Sequence, residues 1–372
     1  MSIYFGTFFA SYLFCLYGER LNKNGRKKTA KSMIFVAALI PAILAGVRDY
    51  TIGTDIATYG HWTFIAAKNS SNPINFAIVN KSLDFFYSIM VYCIAHIFES
   101  EHWLYFFTGL LTYLFSILGL YRYREYISVS VAWICYLFLF FGDTLNLMRQ
   151  SIAISIFMLA FSYFQRGDKV KFGILLVTAM LFHSTAIIGV LFVVIYILLE
   201  KRNSMMTKTG IIATMLVLMF GYAKIINIVV NLGFFNEKYM KYTYQATSGF
   251  SLNPILIRLP YLILIGLFYF SCIKETGSGI KKNFVDYIIV IIIIEMIAAE
   301  MRMFNASLYR ISLYFGMFRC VGIGRVMKVV KPNNRQILIW IIGTLLIITW
   351  IYQNVVQGNN QIYPFTSEIL GI

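Results

Sequence analysis

The chain has 372 residues, of which 59% are hydrophobic and 13% charged, with a mean hydropathy of +0.72. Soluble domains carry about 25% charged residues, so this composition excludes a soluble enzyme, a secreted disulfide scaffold and a disordered chain, and indicates an all-α polytopic membrane protein. The formal net charge of +16, from 32 Lys+Arg against 16 Asp+Glu, reads as basic cytoplasmic loops facing anionic lipid and not as a nucleic-acid surface.

The first apolar segment, 3–18, has no basic n-region and no cleavage site, and is expected to remain as a helix. Further candidate spans follow at 32–47, 103–121, 128–142, 147–164, 208–230, 256–273, 284–300, 308–324 and 336–352. Hydropathy leaves two stretches, 83–98 and 171–199, ambiguous, and loop charge resolves them. Most of the basic residues fall in six short segments, within 19–31, 122–124, 166–171, 201–208, 274–282 and 325–335. Placing all six on the cytoplasmic side requires 171–199 to leave and return, as two short helices with a tip at Phe182-His183-Ser184. The stretch 83–98 must then not cross, and its polar breaks Asp84, Tyr87, His96 and Glu99 suit an amphipathic or re-entrant helix. About twelve crossings follow, with both termini outside. The outer face receives loops 48–82 and 231–255 and the tail 353–372. The sequence shows no repeat and no appended soluble domain, so 1–372 forms one transmembrane domain. Cys15, Cys93, Cys135, Cys272 and Cys320 all lie in apolar segments without a C-x-x-C pair, which points to neither disulfide nor metal.

Five arginines fall at the outer ends of helices, against the positive-inside bias: Arg48, Arg149, Arg258, Arg302 and Arg310. A cation within a bilayer costs about 2.5–3.5 kcal/mol on insertion scales and usually faces a cavity or a partner. Arginine binds phosphate oxygens in a bidentate fork and keeps its charge when buried. Either each pairs with a nearby acid (Asp49, Asp143 and Glu300 lie close in sequence) or the set serves a shared anion such as a pyrophosphate lipid.

Five motifs accompany these arginines. After Arg48 the chain reads Asp49-Tyr50-Thr51-Ile52-Gly53-Thr54-Asp55-Ile56-Ala57-Thr58-Tyr59, where Asp55 is suited to cap a short helix running through Tyr59 and Trp62. Asn146-Leu147-Met148-Arg149-Gln150-Ser151-Ile152-Ala153 opens a helix, and Phe182-His183-Ser184-Thr185 marks the predicted hairpin tip. Arg310-Ile311-Ser312-Leu313-Tyr314-Phe315 and Tyr363-Pro364-Phe365 stand near the end. In this order, over roughly 40–365, the motifs resemble the EpsG family, the Wzy-like polymerases of bacterial surface polysaccharides. The resemblance implies an enzyme of the plasma membrane acting at its outer face on undecaprenyl-diphosphate-linked repeat units. Such an enzyme transfers the growing chain to the non-reducing end of a new unit. It further implies a likeness to GT-C-type membrane glycosyltransferases and O-antigen ligases. A flippase and a chain-length regulator are the implied partners.

Glycosyl transfer from a lipid pyrophosphate leaves a highly charged leaving group. The outer segments contain no Asp-x-Asp pair and no metal-ligand spacing. The arginines are therefore expected to stabilise that charge, and no cofactor or metal is expected. His183 or Asp55 is the candidate base, with Arg149 as the central catalytic cation. His183 reads equally as a tip residue bonding the backbone, and Asp55 as a cap or Arg48 partner. Glu300 reads as an Arg302 partner, and His61, His96 and His102 as interfacial residues. Arg48, Tyr59, Asn146, Gln150, Arg258, Arg302, Arg310, Tyr314 and Tyr242 are the expected substrate-binding residues. Tyr239, Tyr242, Tyr244 and Trp62 can stack on sugars or form an interfacial belt. The competing classes are an O-antigen ligase or other outer-face transferase, and a flippase or transporter of the lipid-linked unit. Flippases more often show duplicated halves, which this sequence lacks.

Overall fold

The computed structural model describes residues 1–80, 83–232, 240, 249–274 and 283–372. Every regular element among them is helical. In chain order these are α1 (Ser2–Lys23), α2 (Lys27–Val47), α3 (Thr63–Lys68), α4 (Pro73–Val79), α5 (Phe85–Ile97), α6 (His102–Arg122), α7 (Val129–Asn146), α8 (Met148–Phe164) and α9 (Lys169–Phe182). They continue as α10 (Gly189–Lys201), α11 (Met205–Phe220), α12 (Tyr222–Asn231), α13 (Asn253–Leu267), α14 (Tyr269–Lys274), α15 (Asn283–Glu300), α16 (Ser312–Val329) and α17 (Pro332–Ile351). Each expected span falls on a helix or a broken pair. The 208–230 span breaks at Gly221, where α11 and α12 bend by 73°. The 171–199 stretch is two helices, α9 and α10, separated by His183 and a 3₁₀ turn at Ser184–Ile188.

Five helices among the described residues are long and apolar enough to cross a membrane, or six if the bent pair is one span. This is fewer than the twelve crossings expected from loop charge. Three of the uncounted helices show why. Helices α8 and α13 have 17 and 15 residues, short of the roughly 20 that span a bilayer untilted. Helix α15 is long enough but carries Asp286, Glu295 and Glu300.

Two compact units divide the chain. The first is Met1–Gly189 with Pro332–Ile372, and the second is Val190–Lys331. In the first, α1 and α2 form a hairpin closed by Gly25 at φ +77, and α2, α6, α8 and α9 pack successively while α1 and α17 flank α7. Small residues bring α2 and α6 together. A Cβ on Gly109 would stand 3.0 Å from that of Ala45, and one on Gly46 would meet the Phe106 Cβ at 2.8 Å. Buried polar groups are tied locally. Trp133 Nε1 donates to Ser11 Oγ at 2.7 Å, and Ser11 donates to the Ala37 carbonyl at 2.5 Å. The Glu19 carboxylate accepts from the Ser130 amide at 3.1 Å, at the start of α7.

The connection from α2 to α6 leaves and rejoins the same end of the unit. His102 Nδ1 lies 2.9 Å from the Gly46 carbonyl. Helix α5, inside that connection, has 13 residues, fewer than the roughly 20 that span a bilayer. In the second unit α15 packs against α11, α13 and α16. Lys208 Nζ (2.6 Å) and the Tyr269 hydroxyl (2.7 Å) both donate to Asp286 at its base.

The α2–α6 contact gives a test. Gly46→Leu is expected to cost about 1–3 kcal/mol through overpacking, seen as lower membrane accumulation and a lower melting temperature of the detergent-extracted protein. Gly6→Leu, where nothing lies within 4 Å of the added carbon, should leave both unchanged.

Candidate functional site

Helix α2 stops at Arg48, whose extended backbone (φ −71, ψ 153) turns the chain away. Its side chain does not follow, and the residue is 1% exposed. Nη2 donates to the Leu145 carbonyl at 2.9 Å, one of the last-turn carbonyls of α7 that lack a helical partner and carry partial negative charge. The guanidinium carbon lies 5.1 Å from the Tyr105 ring centroid. Among the described residues Arg48 forms no ion pair, and its Nε has no hydrogen-bond partner. Burial lowers its pKa from the ordinary value while the surrounding tyrosines, Tyr113 first, oppose that shift. Its ordinary value is so high that it stays charged. Asp49, the acid next in sequence, faces elsewhere. Its carboxylate accepts from the Glu368 amide at 2.9 Å, and its own amide donates to the Thr366 carbonyl at 3.2 Å.

The Gly-Thr-Asp loop lies across the end of α7. Gly53 has φ +113, a conformation open to glycine, and its ideal Cβ position is 3.5 Å from Asn146 Cα. Asn146 is 4% exposed. Its Oδ1 accepts from the Asp55 amide at 2.6 Å and from Thr54 Oγ1 at 3.0 Å. Asp55 itself is half-buried, and the helical turn that follows (Ala57–Trp62) is capped at Ile56 without a side-chain bond. The capping role expected of Asp55 is thus not realised, because the loop is held by Asn146 instead.

Arg149 lies in the first turn of α8, two residues after the break at Leu147. Its Nη1 donates to Asp84 Oδ2 at 3.1 Å, and its guanidinium carbon stands 4.2 Å over the Tyr59 ring. The partner is Asp84, at the start of α5, and not Asp143 as sequence proximity suggests. Asp84 Oδ1 also accepts from the Ser184 amide at 3.3 Å, so one carboxylate joins Arg149 to the His183 turn. The Tyr87 hydroxyl donates to the Tyr59 carbonyl at 3.0 Å. Burial pushes that hydroxyl's pKa well up, which keeps it a donor. His183 Nδ1 lies 2.7 Å from Thr185 Oγ1 and accepts from the Thr185 amide at 3.4 Å. The tip role expected of His183 is therefore present. Gln150 is buried in the first turn of α8.

Arg48, Asp55, Tyr59, Asn146, Arg149, Gln150 and His183 all belong to the first unit, and Arg258, Arg302, Arg310 and Tyr314 to the second. Arg258 is committed within its unit. Nε donates to Glu295 at 2.8 Å, Nη1 to the Pro254 carbonyl at 2.9 Å and Nη2 to Ser312 Oγ at 3.3 Å. Glu295, fully buried, also pairs with Arg319 Nε at 2.8 Å. Arg302 and Arg310 are half-exposed on the 3₁₀ turns Met301–Met303 and Ala306–Ile311, with Tyr314 buried just beyond. Glu300 does not pair with Arg302 as expected: its Oε2 accepts from the Ser251 amide at 3.5 Å and its Oε1 has no hydrogen-bond partner among the described residues. Tyr242, like Tyr239 and Tyr244, lies outside the described residues. Sequence reasoning read Asp84 only as a polar break and passed over Asn360 and Glu295. For Asp84 the available signal was an acid directly before an apolar run.

Among the described residues no three His, Cys, Asp or Glu side chains converge to hold a metal ion. The residues gathered in the first unit are arginines, tyrosines and hydrogen-bonding amides at one end of a helical unit, in an all-α membrane protein. Comparison with protein families then identifies it: residues 31–367 match the EpsG family. The chain belongs to that family, which is one of Wzy-type polysaccharide polymerases. No curated protein and no solved structure matches it.

The Asp84 bridge is testable. Asp84→Asn and Arg149→Gln should each reduce polymer formation. The double variant should fall short of additivity by about 0.5–3 kcal/mol, as for residues in one ion pair. Additive losses in a double-mutant cycle on extracted protein would show that the pair is not coupled.

Proposed function

We propose that this protein joins undecaprenyl-diphosphate-linked oligosaccharide repeat units at the outer face of the bacterial plasma membrane. An acceptor hydroxyl of one lipid-linked unit attacks the anomeric carbon of the other. The bond from that carbon to the lipid pyrophosphate breaks, and its electron pair leaves with the pyrophosphate. Asp55 or His183 takes the hydroxyl proton. Arg149 and Arg48 stabilise the charge that grows on the leaving group, and Tyr59 holds the Arg149 plane by stacking.

The observation that carries the reading is Arg48. A guanidinium buried beside its helix end, with no acid against it, is costly in a membrane protein unless an anion completes it. The same proposal takes loops 48–82 and 231–255 and the tail as outer-facing, with about twelve crossings in all. Arg302 and Arg310 act as further anion-binding groups. Arg258 acts at one remove, since its guanidinium is satisfied by Glu295, Pro254 and Ser312. Charge stabilisation by arginine makes the enzyme metal-independent.

The test is deletion of the gene in its host, with the surface glycan resolved on a gel. Loss of the long ladder to single repeat units, restored by wild type but not by Arg48→Gln or Arg149→Ala, is the expected result. Retention of polymer on the carrier lipid would instead indicate a ligase, and single units trapped inside the cell a flippase. Chelation during assay of the reconstituted protein should leave polymerisation unchanged. A strict requirement for Mg²⁺ or Mn²⁺ would overturn metal independence.

A further inference from the structure

The tail reaches the Gly-Thr-Asp loop through one residue. Asn360, in a left-handed backbone conformation at φ 61, donates from Nδ2 to Asp143 Oδ1 at 2.9 Å. Its own Oδ1 accepts from Asn146 Nδ2 at 2.8 Å. Asn146 then has its oxygen left for the loop, where it accepts from the Asp55 amide and Thr54 Oγ1.

The direction of this chain of bonds is not arbitrary. An ionised carboxylate only accepts. Asp143 therefore calls for the NH₂ of Asn360, which turns the Asn360 oxygen toward Asn146. That oxygen calls for the NH₂ of Asn146, which turns the Asn146 oxygen toward two donors of the loop. The carboxylate at one end sets which way two amides point.

The tail is seated for this contact. It approaches α7 at Gly142, where a Cβ would come within 2.8 Å of Asn354 Oδ1 and 3.1 Å of Ile362 Cδ1. The Asn354 side chain is itself fixed by donation to the Trp350 carbonyl at 3.0 Å. Asn360 is among the residue types that tolerate a left-handed backbone, and a β-branched residue would not.

We propose that Asn360 is a positioning residue of the site, relaying the polarity of Asp143 through Asn146 to hold Asp55 in its working place. The C-terminal tail is thus a part of the site and not a passive end. The inference rests on the reading of Asp55 as a group that meets the acceptor sugar.

The test exchanges charge along the chain without changing shape. Asn360→Asp sets two carboxylates against each other and should reduce long-chain polymer by about 2- to 100-fold, the range for residues sharing one network. Asp143→Asn can still accept from Asn360 through its amide oxygen, and should lose less. In the double variant Asp143→Asn/Asn360→Asp, the new amide donates to the new carboxylate, which still accepts from Asn146. Polymer should return toward the wild-type ladder. A role in packing alone would leave the isosteric Asn360→Asp harmless or the double variant unrescued, and either result in accumulated protein overturns the proposal.

Asn360→Gly keeps the left-handed backbone and removes only the amide, so it serves where Asn360→Asp fails to accumulate. Hydrogen exchange on that variant in detergent should show loss of protection across 53–58 relative to wild type. Unchanged exchange with an unchanged ladder would also overturn it. If the wild-type protein makes no polymer, the polymerase reading falls, while the exchange measurement still decides whether Asn360 fixes the loop.

Discussion

The burial of Arg48 without a counter-charge is the constraint around which one end of the first unit is arranged. A guanidinium at 1% exposure needs electron density from somewhere. It takes it from the Leu145 carbonyl and from a tyrosine face, both weaker than a carboxylate. That solution requires the end of α7 to lie against the end of α2, and it requires Tyr105 at the start of α6 to lie beside both. The end of α7 then carries Asn146 to the loop that follows Arg48. The same juxtaposition that tempers the cation thus also brings the Gly-Thr-Asp segment to its seat.

Both ends of the chain take part in closing this arrangement. The Tyr4 hydroxyl donates to the Ile362 carbonyl, and Ser367 Oγ donates to the Val47 carbonyl at 2.5 Å. Tyr4, Phe141, Trp350 and Phe365 pack their rings beneath these bonds. The unit therefore depends on contacts more than 300 residues apart in sequence. Pairings of that separation carry a loop-closure cost that local contacts do not, so the tail is expected to join late, after the α1–α2 hairpin and its neighbours.

Much of the helical framework was legible in the sequence because apolar length and loop charge are local properties. The break at His183 and the approximate boundaries of α2, α6, α7 and α17 followed from them. The motifs were legible too, as the family match over 31–367 shows. What the sequence could not supply was which polar side chain meets which. Asp84 lies 65 residues from Arg149, and Asn360 lies 214 from Asn146, so no spacing rule connects them. Proximity along the chain suggested Asp49 and Asp143 as partners of Arg48 and Arg149, and it misled because each acid sits where its backbone turns it toward the tail.

Arg258 and Arg48 show why residue type and depth alone do not identify a ligand-binding arginine. Both are buried. Arg258 has each of its three nitrogens engaged, one by a fully buried carboxylate shared with Arg319. An anion arriving there would have to displace Glu295 or add to its negative charge, and would gain little. At Arg48 no acid competes, one nitrogen is without a bond, and the ring and carbonyl that temper the charge do not neutralise it. An anion reaching it would gain nearly the full interaction in a poorly solvated setting. The distinction lies in the compensating charge, and by that measure the first unit holds the arginine whose burial an anionic substrate would explain.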